Sequence, residues 1–173
     1  MLTFSDQSQV NDQQKTRLRQ AVAARVSVLE GLLPTAVEGR LGGPGLVVRN
    51  RAPSPIFNVW VVVTVRGVKQ AFYLDSIPPC VIIGLPKGGF APAPVPRESI
   101  VDLMWFTDDL GRGWQRRATG ELTEFVVPTY RGSSTVLPSG LDASRIGTGM
   151  NSEAARLSRG AVTRDAADCS EAT

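Results

Sequence analysis

Three kinds of side chain in this sequence could do chemistry. They are the cysteines Cys80 and Cys169, the close carboxylates Asp108 with Asp109 and Asp165 with Asp168, and the lysines Lys15, Lys69 and Lys87. Histidine is absent, which removes the commonest general base and the commonest metal ligand together. A nucleophilic triad needs a base beside its nucleophile, and the lysines, on a helix face or near turns, are expected to be solvated. A glycosidase pair needs two carboxylates facing each other across a cleft, whereas neighbours in a turn, such as Asp108 and Asp109, point apart. Asp75, Asp102, Asp108 and Asp109 could offer oxygen ligands to calcium, yet no D-x-D-x-D-G spacing accompanies them. Two distant cysteines are too few for a zinc site. They could pair as a disulfide, but the expectation is two free thiols. The glycine-rich stretches at Leu41–Gly45 and Gly84–Gly89 lack the phosphate-loop pattern G-x-x-x-x-G-K-[ST]. No catalytic residue, cofactor or metal site is therefore expected, and the chain does not read as an enzyme.

What remains is binding chemistry. Arg49 and Arg51 fall in one segment, and Arg112, Arg116 and Arg117 in another. If both segments lie at one end of the fold, they form a positive patch. Together with Trp60 these arginines are the candidate partner-binding residues. The patch suits an acidic protein partner or, alternatively, a small anionic or sugar-like ligand resting on Trp60, Trp105 or Trp114. The net charge of +3 is mild and no nucleic-acid-binding fold is recognisable, so nucleic acid is not an expected partner.

The elements that must position these residues follow from periodicity. Residues 1–10 are polar without period and read as disordered. Residues 11–33 read as one amphipathic helix, densest over 12–31, with Leu18, Val22, Val26 and Leu29 on one stripe and Ala21 and Val28 widening it. Asn11 and Gln14 suit its N-terminal cap, and Gly31 and Pro34 its end. The stripe is expected to pack on the domain's own sheet or on the same helix of a second copy, with a partner protein or a membrane surface as the alternative. Residues 34–45 read as a Gly/Pro linker.

From Leu46 the pattern is β. Strands are expected at 46–49, 56–65, 68–74, 80–85, 99–106, 113–117 and 121–127, separated by turn signals. In 56–65, Phe57, Val59, Val61, Val63 and Val65 share one face, and Ile56, Asn58, Trp60, Val62 and Thr64 the other, partly covered one. In 99–106, Val101, Leu103 and Trp105 oppose Ile100, Met104 and Phe106. Residues 87–96 read as an irregular loop. All tryptophans and tyrosines lie between Trp60 and Tyr130, which places the core there. Residues 131–173, with no aromatic, read as a flexible tail, with a short helix at 152–159. No apolar run approaches the about 20 residues of a membrane-spanning helix and no secretory signal opens the chain, so a cytoplasmic location is expected.

Two phrases sharpen this. The segment Val47-Val48-Arg49-Asn50-Arg51-Ala52-Pro53-Ser54-Pro55-Ile56-Phe57-Asn58-Val59 resembles the "V-V-x-N-x-S-x-x-P-V-Y-x-V" of an uncharacterised actinobacterial domain family. Phe106 to Arg116 is similar to that family's "F-x-D-x-x-G-x-x-W-x-R", and Gly120-Glu121-Leu122 follows as it does there. Between them, Pro78-Pro79-Cys80 resembles its "P-P-G" loop, with cysteine where glycine is usual. The resemblance covers residues 45–124. It implies an immunoglobulin-like sandwich and brings no catalytic residues. Members often carry membrane helices ahead of this domain, which this chain lacks. The expected architecture is thus an all-β core, an immunoglobulin-like antiparallel β-sandwich over 46–130, preceded by one amphipathic α-helix and followed by a tail. The expected role is a non-catalytic protein-interaction module, working with another protein or by self-association through the helix.

Overall fold

The computed structural model describes residues 4–34, 41–87, 98–132, 134–141, 147–148, 162–167 and 169. The irregular loop expected at 87–96, Lys87 apart, and the helix expected at 152–159 lie outside them, as does the linker segment 35–40. One helix, α1 (Phe4–Ala23), precedes ten strands. Sheet A has the order β1-β2-β5-β10, from Val26–Pro34, Leu41–Asn50, Val81–Pro86 and Val162–Asp165. Sheet B has the order β8-β7-β6-β3-β4-β9, from Leu122–Glu124, Gly113–Arg117, Ile100–Thr107, Ile56–Val65, Val68–Ile77 and Gly147–Thr148. All named pairings are antiparallel except β4 with β9. Among the described residues, no helix is long and apolar enough to cross a membrane.

The two sheets share one apolar core. Sheet A contributes Val26, Val28, Leu46, Val48, Ile83 and Leu85. Sheet B answers with Val59, Val61, Val63, Phe72, Met104 and Trp114, among others. The expected strands at 56–65 and 113–117 match residue for residue, and the others differ at their ends.

The helix expected over 11–33 needs correction at both ends. It begins at Phe4, inside the stretch read as disordered, and stops at Ala23. Residues 26–34 are strand β1. Leu18, Val22, Val26 and Leu29 do fall at helical spacing, but Val26 and Val28 also alternate at period two. Pairing with β2 from Val26↔Asn50 to Pro34↔Leu41 decides the competition, because β-branched residues pack well in a sheet and two β-branched valines close together favour one. The linker reading of 34–45 fails for its second half. Gly43, Pro44 and Gly45 lie in β2, paired with β1, where the ladder overhangs β5.

Bulges also change which side chains face inward. Asn58 takes a φ of 50°, and the ladder slips between Ile56 and Val59. Ile56 therefore joins the core beside Val59, while Phe57 is turned to solvent, the reverse of the alternation expected. In β6 the register skips Asp102, so Val101 faces the core with Met104 and Phe106 rather than siding with Leu103 and Trp105.

The two phrases singled out above are hydrogen-bonding devices. Asn50 is fully buried; its Oδ1 accepts from Ala52 N at 3.1 Å, and its Nδ2 donates to Ser54 O at 3.0 Å and Pro78 O at 2.8 Å. One side chain thus ties the β2–β3 turn to the β4–β5 turn. Cys80 in that second turn has a φ of 57°, the left-handed conformation that favours glycine. Asp108 accepts from Leu110 N and Arg112 N through Oδ1, at 3.0 and 2.8 Å, and from Trp114 Nε1 through Oδ2 at 2.9 Å. Gly111 supplies the positive φ of the same turn.

Lys87 is also corrected. It is not solvated but 2% exposed, donating to Ser99 O at 2.9 Å and pairing with Glu30 Oε1 at 3.3 Å. The same Oε1 accepts from Val101 N at 2.9 Å, so β1, the end of β5 and β6 meet at one ion pair whose lysine is buried and whose carboxylate is partly exposed.

Replacing Asp108 by Ala orphans three donors, two of them main-chain. At a net ~1 kcal/mol each, Asp108→Ala is expected to lower unfolding stability in urea by about 2–4 kcal/mol, while Asp109→Ala next to it stays within about 0.5 kcal/mol. Equal losses would show that the turn does not depend on this carboxylate.

Candidate functional site

The candidate residues do not assemble into one patch. Arg112 and Arg117 stand at opposite ends of β7, roughly 17 Å apart at about 3.3 Å per residue. Both are neutralised. Arg112 Nη1 pairs with Glu124 at 2.7 Å, and Arg117 meets Glu121 at 3.2 Å and Asp102 at 3.8 Å. Arg116 is half-buried between Met104 and Leu122 in register. Arg51 is half-buried and already engaged within the fold. Arg49 lies on sheet A, two residues before Arg51.

Trp60 is fully buried, on the outer face of sheet B rather than in the core between the sheets. There Trp60, Val62, Ala71, Leu103 and Trp105 form a second cluster. The chain after β8 covers it, laying down Phe125, Val127, Tyr130, Leu137 and Leu141. Trp60 Nε1 donates to Pro128 O at 2.8 Å, Tyr130 stacks on Tyr73 at 4.7 Å, and Phe125 stacks on Trp105 at 5.1 Å. Trp105 and Trp114 are buried as well, so no tryptophan offers a sugar a platform. The same observation corrects the flexible-tail reading of 131–173. Residues 134–141 help cover sheet B, and β9 and β10 each add a strand, one to either sheet.

Within this covered cluster Tyr73 donates to Asp75 Oδ1 at 3.1 Å. Burial first, then the neighbouring carboxylate, pushes the Tyr73 phenol up to about 12.

Among the described residues, the outer face of sheet A has no such cover. Register aligns its outward side chains in rows. Ser27, Arg49, Ile82 and Arg164 form one row, and Leu29, Val47, Gly84 and Val162 the next. Gly31 and Gly45 continue the face. Beyond them Leu33 curls back over the sheet. A Cβ on Gly84 would stand 2.8 Å from Leu33 Cδ2, and Gly45 receives the same side chain, so both positions need glycine for this close approach. The result is an open cleft of about 380 Å³, walled by aliphatic side chains and rimmed by Arg49 and Arg164, with no acidic residue in its lining. Leu32 at its end is 59% exposed. Among the described residues no carboxylate pairs with either arginine, and Arg49 Nε is buried without a hydrogen-bond partner.

One wall of the cleft, β10, is fixed covalently. Cys80 and Cys169 form a disulfide with a Cα–Cα distance of 5.3 Å, against the expectation of two free thiols. Ala166 N donates to Cys80 O at 2.8 Å beside it. The segment was read as floppy on its polar composition alone, and that composition carries no sign of main-chain pairing with an open sheet edge. Arg164 went unrecognised as a site residue for the same reason. Only the shared register with Ile82 brings it beside Arg49.

Among the described residues, no group of three or more cysteine, aspartate or glutamate side chains is placed to hold a metal ion. The arrangement offers two cations beside an apolar trough, which is binding chemistry. No protein-family model, no curated protein and no solved structure matches the chain.

Two outcomes follow. Cys169→Ser is expected to lower stability by roughly 2–4 kcal/mol and to speed amide exchange in β10 while β3 stays protected; unchanged exchange in β10 would show that its pairing suffices without the bond. Because the folded phenol titrates above the ordinary value near 10, the stability Tyr73 contributes is complete below about pH 10 and is lost as pH rises through about 12. Tyrosinate absorbance should therefore show a late step near pH 12 that moves down in Asp75→Asn. The lack of any step above the ordinary value in the native protein would contradict the burial of Tyr73.

Proposed function

We propose that this chain is a non-catalytic interaction module built on an immunoglobulin-like β-sandwich, and that its contact surface is the outer face of sheet A. Strand order supports the scaffold. β1, β2 and β5 follow the order of strands A, B and E in that fold, and β4-β3-β6-β7 the order of C′, C, F and G. β10 stands where strand D would flank E, although it comes from the far end of the chain. The phrase resemblance supports the same fold. A departure is the disulfide, which joins the start of β5 to the C-terminal segment instead of bridging strands B and F.

The observation that carries the functional reading is the contrast between the outer faces. Among the described residues, the apolar outer face of sheet B is covered by the chain itself, whereas that of sheet A is uncovered, apolar and rimmed by arginine. Exposed apolar surface beside polar groups marks a contact site. The helix supports association too, for Val10 and Leu18 of α1 are 49% and 68% exposed, and an isolated helix gains most of its stability from packing. The disulfide supports an oxidising compartment rather than the cytoplasm expected from the sequence. A small anionic ligand is the second reading of the same face. The buried, unpartnered Arg49 Nε favours it, because a buried donor left unpaired is costly.

A photo-crosslinking residue at Val47, on the outer face of sheet A, tests the surface in cells that make the full chain. Discrete protein adducts from position 47 and none from exposed position Val126 are expected. Adducts from neither position, or equally from both, would overturn the assignment.

A further inference from the structure

Sheet A's outer face carries more information than its openness. Its apolar floor runs from the Arg49 row past Leu29 and Val47 to Gly31, four residues of strand or roughly 13 Å. The two cations sit together at one end of this floor, two strands apart, or about 10 Å between their backbones. Among the described residues nothing acidic lines the cleft to balance them. Gly45 and Gly84 lie beneath Leu33, whereas at Gly31 an added Cβ would find only ordinary contacts, 3.7 Å from Val47 Cγ2 and 3.9 Å from Leu29 Cδ1. The space above Gly31 is thus free to be filled. The cleft's volume falls within the range of small-molecule sites, which are mostly apolar with a few placed polar groups.

We infer that this cleft binds a fatty-acid-like amphiphile, its alkyl chain lying over the Leu29–Val47–Gly84–Val162 row and its carboxylate held between Arg49 and Arg164. The inference rests on sheet A's outer face being the contact surface and names what that surface recognises. The chemistry on each side is matched. Burying methylenes on the aliphatic floor supplies affinity. A guanidinium presents its N–H groups in a planar fork that fits a carboxylate, and two such forks rim the same end of the cleft. An uncharged amphiphile would gain only the first of these, and a purely polar anion only the second.

The test uses the full chain with its disulfide intact and a dansyl-labelled undecanoate as the fluorescent probe. Saturable binding with a blue-shifted emission is expected, with displacement by decanoate and at least about tenfold weaker displacement by decanol. Arg164 is solvent-exposed, so Arg164→Met leaves folding intact and is expected to weaken probe binding roughly tenfold; Arg49→Met is expected to do the same. Gly31→Leu, whose Cβ meets only ordinary contacts, places its side chain in the trough and is expected to abolish binding while the melting temperature holds. Failure of the wild-type protein to bind the probe, equal displacement by decanol and decanoate, or unaltered binding in both arginine variants would each overturn the inference. If decanoate is ignored while crosslinks still form from position 47, the contact surface stands and the amphiphile falls. If both are silent, both readings fall.

Discussion

Strand β3 is apolar on both faces, and the rest of the structure answers that constraint. Val59, Val61 and Val63 point one way, Trp60 and Val62 the other, and all five are fully buried. A tryptophan alone removes 150–250 Å² from water, on the order of 4–6 kcal/mol at about 25 cal/mol per Å². Neither face can be left wet. Sheet A takes the first. The second can be covered only by chain still to come, and the segment after β8 does so with Phe125, Val127, Tyr130, Leu137 and Leu141. Having spent its remaining aromatics there, the chain has little apolar material left for the outside of sheet A. Among the described residues that side receives only the return of Leu33 over two glycines and the short strand β10.

Polar residues at irregular points make the arrangement possible. Asn58, Asp75 and Cys80 take left-handed φ values, and the ladder breaks register around Asn58 and Asp102. Each bulge reverses inside and outside for the residues on one flank. Without the bulge in β3, Ile56 would leave the core and Phe57 would enter it. Asp102, at the bulge of β6, is held by Lys69 at 2.7 Å, so the irregularity is anchored rather than loose.

These details explain what could be read from residues alone. The seven central strands were legible, because strong alternation and turn residues coincide from Leu46 to Val127. Asn50 and Asp108 were legible as turn residues, since their type is what the turn demands. The helix–strand boundary was not, because Val26 and Leu29 satisfy period 3.6 and the short run Val26-Ser27-Val28 satisfies period two. Bulge positions were not legible either, for a bulge is decided by the partner strand. β9 and β10 escaped notice because edge strands of two and four residues are held by main-chain hydrogen bonds, which composition does not record. The candidate site shares this fate. Arg49 could be singled out as a surface cation, but its companion was assigned to a tail, and the glycines beneath Leu33 read only as breakers of structure.

The electrostatics of the cleft therefore depend on a covalent bond far from it in sequence. β10 is a four-residue edge strand with a single partner, β5, and so short an addition is marginal on its own. The link from Cys169 to Cys80 holds it against the sheet. It also holds Arg164 within two strands of Arg49, against the repulsion of like charges. Two cations side by side with no acid between them are unfavourable in the empty protein. The fold keeps that arrangement by anchoring one of them through a disulfide and the other within a central strand. An anion placed between them relieves the repulsion at both sites at once. While the disulfide is intact the arrangement is fixed, and the proposed affinity of the cleft for negative charge would be a property of the folded chain.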